Sequence, residues 1–108
     1  FACTADAVPI LLAEAGKSPA LKELLFADAD EKFLGDYDSD GSYLFHWTSI
    51  KWYDAYPAIQ AFKQMVGKIV EKLDEEAYRW VCIGEEIDDN EIDGWGFDHI
   101  YISREITY

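Results

Sequence analysis

The stretch "YPAIQAFKQMVGKIVEKLDEE", residues 56–76, decides the fold. Ile59, Phe62, Met65, Val66, Ile69, Val70 and Leu73 recur every three or four residues, the spacing that gathers side chains on one face of an α-helix. Pro57 suits the first turn, where its missing N–H leaves no intrahelical bond unmade. Asp74, Glu75 and Glu76 end the pattern. Acids at a helix C-terminus oppose the macrodipole by about 0.3–1 kcal/mol each when exposed, so their placement is mildly unfavourable for this helix. Its outward face carries Lys63, Lys68, Lys72 and Glu71, so the acids of the chain lie mostly elsewhere.

The flanking segments read as strands. "SYLFHWTSIKWY", residues 42–53, is rich in aromatic and β-branched residues. Tyr43, Phe45, Trp47 and Tyr53 fall on one of its faces and Leu44, Ile50 and Trp52 on the other, which predicts partial cover on both sides. Downstream, "AYRWVCIGEE" (77–86) and "GWGFDHIYISREITY" (94–108) give two more strands. In the last, Ile100, Ile102 and Ile106 share a face that should meet the helix, with Phe97, His99, Tyr101, Ser103 and Glu105 opposite.

Toward the N-terminus, "TADAVPILLAEAG" (4–16) predicts a short helix capped by Thr4 or Asp6 and stopped at Gly16. "SPALKELLFADADEKFLG" (18–35) predicts another, with Ser18 as N-cap, Pro19 in the first turn and Leu21, Leu24, Leu25 and Asp28 at helical spacing. The alternation "FADAD" leaves its far end open, before a break at Gly35. The order α-α-β-α-β-β predicts a single α+β domain over residues 1–108, with helices packed on an antiparallel sheet of about three strands.

The chain has 108 residues, half of them hydrophobic, which is a folding composition despite a net charge of −13. Direct binding to nucleic acid or to an anionic membrane is disfavoured by that charge. A basic partner is favoured, above all a protein whose own cleft holds nucleic acid. Cys3 and Cys82 are too few for a disulfide framework, so reduced thiols in a cytoplasmic setting are expected.

Two acidic segments concentrate the charge. "GEEIDDNEIDGWG" (84–96) holds Glu85, Glu86, Asp88, Asp89, Glu91 and Asp93 and is expected to be an exposed connection between the last two strands. Ile87 and Ile92 inside it would serve as apolar anchors if the connection is held rigid. "DYDSDG" (36–41) places Asp36, Asp38, Asp40 and Gly41 as in the first half of an EF-hand calcium loop, but Trp47 stands where a bidentate Glu is required. A solvated Asp/Gly turn is the competing account. His46 and His99 could meet with nearby acids in a zinc or iron site if their strands pair. Asp98, His99 and Ser103 form no triad, since strand neighbours point to opposite faces. Neither a phosphate loop nor an activated cysteine is visible, so no enzyme, metal or cofactor is predicted.

Carboxylates at alternate positions of extended chain lie about 6.6 Å apart on one face, a spacing comparable with that of successive phosphates. Asp36, Asp38 and Asp40 have that spacing in sequence, as do Glu86 and Asp88, then Asp89, Glu91 and Asp93. With Tyr37 and Trp95 as aromatic anchors flanked by acids, they predict a partner-binding surface that could work as a nucleic-acid mimic.

The segment "IKWYDAYPAIQAFKQMV…LDEEAYRWVCIGEEIDDNEIDGWG", about residues 50–96, resembles small acidic proteins encoded by tailed phages. The resemblance implies an inhibitor of host defence, of the anti-CRISPR kind, with a CRISPR effector as an example of its partner. Two other expectations stand beside it: a calcium- or metal-binding protein using both acidic segments, and an immunity protein that neutralises a basic nuclease.

Overall fold

The computed structural model describes residues 1–38, 40–48, 50, 52–83, 91–97, 99–102 and 106–107. The element order is β1 (Ala2–Cys3), α1 (Val8–Lys17), α2 (Pro19–Phe26), β2 (Glu31–Leu34), β3 (Tyr43–His46), α3 (Pro57–Lys72), β4 (Tyr78–Cys82), β5 (Glu91–Asp93), β6 (Tyr101–Ile102) and β7 (Ile106–Thr107). Single 3-10 turns cover Ala5–Ala7 and Glu75–Ala77. The class is α+β, with five antiparallel strands in the order β2-β3-β1-β4-β5 and a separate β6–β7 pair. Among the described residues, no helix is long and apolar enough to cross a membrane.

The sheet carries a core on each face. On one, Leu11, Leu21, Leu25, Ile59, Phe62, Met65 and Ile69 from α1, α2 and α3 pack against Cys3, Phe45, Tyr78 and Trp80. On the other, Ala2, Leu44 and Val81 are covered by Ile100, with Phe33, Tyr37 and Phe97 around them. Leu44 and Phe45 are adjacent on β3 and both buried, so that strand is covered on both sides, as its sequence implies. Trp52 departs from the expected face: it stacks on Trp80 with ring centroids 4.6 Å apart, on the helix side.

The start of α2 follows its sequence signals. Ser18 Oγ accepts from the Leu21 N–H at 3.2 Å, and Pro19 opens the helix. The helix ends at Phe26, well short of Gly35, because the next residues are taken into the sheet. Asp30 N–H donates to His46 O at 2.8 Å, and the Asp30 carboxylate accepts from Thr48 N–H at 2.7 Å and from its hydroxyl at 2.9 Å. Lys32 Nζ reaches back to the Phe26 carbonyl at 2.7 Å, placing a cation on the helix C-terminus.

Helix α3 buries Ile59, Phe62, Met65 and Ile69. The stripe is narrower than expected, since Val70 and Leu73 are 37% and 38% exposed. The acids beyond it belong to the following turn. Asp74 is the N-cap of Glu75–Ala77, its carboxylate accepting from Glu76 N–H at 2.7 Å, which is the favourable end for an acid.

Three strand expectations change. The sheet centre is β1, two residues that carry no periodic signal, held by reciprocal bonds between Phe1 and Phe45 (Phe1 N to Phe45 O at 2.9 Å, Phe45 N to Phe1 O at 2.8 Å). The neighbour of β4 is β5, with Val81 opposite Ile92; this acidic triplet has weak β-propensity, and register decides its state. The isoleucine-rich end is not one strand under the helices. Ile100 lies on the opposite sheet face, while β6 and β7 pair with each other.

Candidate functional site

Following the strand directions locates the charge. The β2–β3 connection, the end of β1, the start of β4 and the chain leaving β5 all meet at one end of the sheet, because Leu34 pairs with Tyr43, Cys3 with both Tyr43 and Tyr78, and Gly96 N–H donates to Tyr78 O at 3.0 Å. Asp36, Asp38 and Asp40 are exposed there, as are Asp74, Glu76 and Asp93, with Glu75 half-buried. The Glu75–Ala77 turn is tied to the same end by Thr4 N–H, which donates to Ala77 O at 2.9 Å.

The β2–β3 connection is shaped by its own acids. Asp40 Oδ1 accepts from Ser42 N–H at 3.1 Å and from Ser42 Oγ at 2.5 Å. These two bonds, the hydroxyl's first, hold the Asp40 carboxyl below the usual carboxylate range. Tyr37 is half-buried, 5.7 Å from Phe33 and 5.8 Å from Phe97 between ring centroids, and near-parallel to His99. Its hydroxyl lies 2.7 Å from His99 Nε2. Burial, then the nearby Asp38 charge, raises the Tyr37 pKa.

Tyr37 thus clamps this connection onto the segment that follows β5, and it is a packed residue where an exposed anchor was expected. The chain turns at residues 37–38, so Asp36, Asp38 and Asp40 do not form the extended row of carboxylates predicted for them. Among the described residues, no three His, Cys, Asp or Glu side chains converge as metal ligands.

The segment Asp93–Gly96 is fixed closely against the start of β4. Gly94 has φ +83°, and a Cβ there would lie 2.3 Å from Tyr78 O; a Cβ on Gly96 would lie 2.5 Å from Glu76 O. Only glycines permit this approach. Trp95 N–H donates to Glu75 O at 2.7 Å, and Asp93 Oδ1 accepts from Gly94 N–H at 3.0 Å. Arg79 ties the segment down from the second sheet face, donating from Nη1 to Gly94 O at 2.9 Å and from Nε to Ile100 O at 3.2 Å. Asp93 also accepts a hydrogen bond from the Tyr78 hydroxyl. Burial first, then this bond and the charges of Asp93 and Glu75, push the Tyr78 pKa far above the usual tyrosine range.

Trp95, at the middle of this turn, is 65% exposed, as expected for an anchor, whereas Trp80 is only 7% exposed. Glu91 pairs with Cys82, farther along β5 from that end of the sheet. Ile92 is 53% exposed, so it does not serve as the apolar anchor that a rigidly held connection would use. Glu85, Glu86, Ile87, Asp88 and Asp89 lie outside the described residues. Sequence reasoning passed over Asp74, Glu75 and Glu76 as a helix stop; the signal was three consecutive acids ahead of a strand that must pair with another acidic segment. A separate shallow recess of about 250 Å³ is lined by Asp28, Asp30, Trp47 and Ile50. Asp30 there is engaged by Thr48, and the Trp47 indole N–H donates to Leu24 O at 2.9 Å.

Comparisons with protein-family models, with curated proteins and with solved structures give no match to this chain.

Proposed function

We propose that this protein acts by binding, as an acidic inhibitor that covers the basic nucleic-acid-binding surface of a partner protein. The observation that carries this reading is that acids from three separate segments, 36–40, 74–76 and 93, lie along one end of the sheet, where Trp95 is also exposed. Like charges gathered on a fixed scaffold repel one another, and a complementary basic surface relieves that repulsion while steering association. A nucleic-acid-handling host defence factor, such as a CRISPR effector met by a phage-encoded inhibitor, is the partner class in keeping with this chemistry. Mimicry here would act through the overall field, since the regular phosphate-like spacing is absent from the 36–40 connection.

The test is capture from a host lysate at low salt on the immobilised protein, with stepwise salt elution and identification of the eluted protein. The expected result is a nucleic-acid-binding protein whose retention is lost when Asp36, Asp38, Asp74 and Glu76 are replaced together by Lys, and which a DNA or RNA oligonucleotide displaces. Retention unchanged by the fourfold reversal refutes the proposal. A captured toxin nuclease would instead assign the same surface to an immunity protein.

A further inference from the structure

We infer that Trp95 is a preformed platform for an arginine side chain of the basic partner, so that the surface selects arginine over lysine; this rests on the acidic-surface reading above. The other three tryptophans are committed to the interior. Trp80 is buried, and Trp47 and Trp52 pack with it and with Phe62 in one aromatic cluster. Trp95 alone presents most of its surface, and it does so from a turn anchored to two other segments through Glu75 O, Tyr78 O and Arg79. An aromatic ring on backbone already fixed in place loses little freedom on binding.

The surroundings identify the occupant. Acidic residues lie in the segments that hold Trp95: exposed Asp93 is two residues before it in the chain, and Glu75 and Glu76 belong to the turn whose Glu75 carbonyl accepts the Trp95 backbone N–H. An exposed indole on a turn flanked by acidic segments offers a planar guanidinium a stacking surface within a negative field. An ammonium gains the charge attraction but not the planar stacking. A net charge of −13 opposes nucleic acid and a second copy of this chain alike.

The experiment titrates the protein at low salt with two peptides of equal charge, nona-arginine and nona-lysine, following the four indole N–H signals by NMR. For the wild type, nona-arginine is expected to bind about 2- to 5-fold more tightly than nona-lysine, the size of an exposed cation–aromatic contact, and to shift the Trp95 signal most. Trp95→Ala should reduce the preference toward that set by guanidinium–carboxylate pairing alone, lowering nona-arginine binding more than nona-lysine binding. Because Trp95 is largely exposed, this variant should fold, and retention of the other three indole signals checks that it does. Equal binding of the two peptides, or a preference undiminished by Trp95→Ala, overturns the arginine platform and leaves the acidic surface standing. Binding of neither peptide overturns both. A wild type that sediments as a dimer and a Trp95→Ala variant that sediments as a monomer would overturn the platform in favour of self-association.

Discussion

Replacing Gly94 by Ala tests the construction of the site most directly. At φ +83°, an alanine carries a left-handed penalty of about 1 kcal/mol. Its Cβ would also lie 2.3 Å from the Tyr78 carbonyl oxygen and 2.9 Å from the carbonyl carbon, backbone atoms of a strand paired on both sides. Since β4 cannot yield, the turn must move out by about 1 Å to reach ordinary contact. That movement breaks or lengthens the Trp95–Glu75, Gly96–Tyr78 and Arg79–Gly94 bonds, each worth about 1 kcal/mol net.

The expected destabilisation is about 3–5 kcal/mol, from that left-handed penalty and the three weakened bonds. A small domain has about 5–15 kcal/mol in total, and the loss should lower the urea midpoint by roughly 2 M. Gly67→Ala is the control of opposite sign. Gly67 is exposed within α3, and a Cβ added there would meet no heavy atom within 4 Å, so alanine should stabilise by about 1 kcal/mol through helix propensity. Urea unfolding of both variants, followed by far-UV circular dichroism, measures the pair. A Gly94→Ala protein within about 1 kcal/mol of wild type would refute the claim that the turn is locked by backbone contact.

Ser18→Ala should cost about 1 kcal/mol in the same assay through loss of the cap on α2, and Ser18→Asp should restore most of it. Burial pushes the Cys3 thiol up to about 12, so in the native protein a thiol reagent should modify half-buried Cys82 first and Cys3 only on unfolding; equal rates would contradict the buried β1. Because the folded state holds Cys3 and Tyr78 protonated beyond their ordinary ranges, their contribution is present below about pH 9 and is lost as pH rises toward 12. Melting temperatures should therefore fall as the pH is raised from about 8 to about 11, and Cys3→Ala should make the fall shallower.

What the sequence determined by itself was whatever local chemistry enforces. Periodic apolar residues specify α3, and Ser18 with Pro19 starts α2, since an N-cap needs only its own next turn. Bulky residues on both faces of β3 announced a strand buried twice. The acidity was legible for the same reason, being a property of the side chains themselves, whereas which of Tyr37 and Trp95 stands exposed was not. Partner strands are not local. Ala2–Cys3 takes the centre of the sheet through ladder bonds to residues far away in sequence, and Glu91–Asp93 takes its edge by pairing back on β4; these pairings outweigh weak propensities over so few residues. Only those pairings decide that Asp36–Asp40, Asp74–Glu76 and Asp93 share one end of the sheet, that Tyr37 is packed against His99, and that two glycines hold Trp95 out from it. Antiparallel register converts separate acidic segments into one surface, because successive reversals fall at alternate ends of the sheet and every second one returns the chain to the same end.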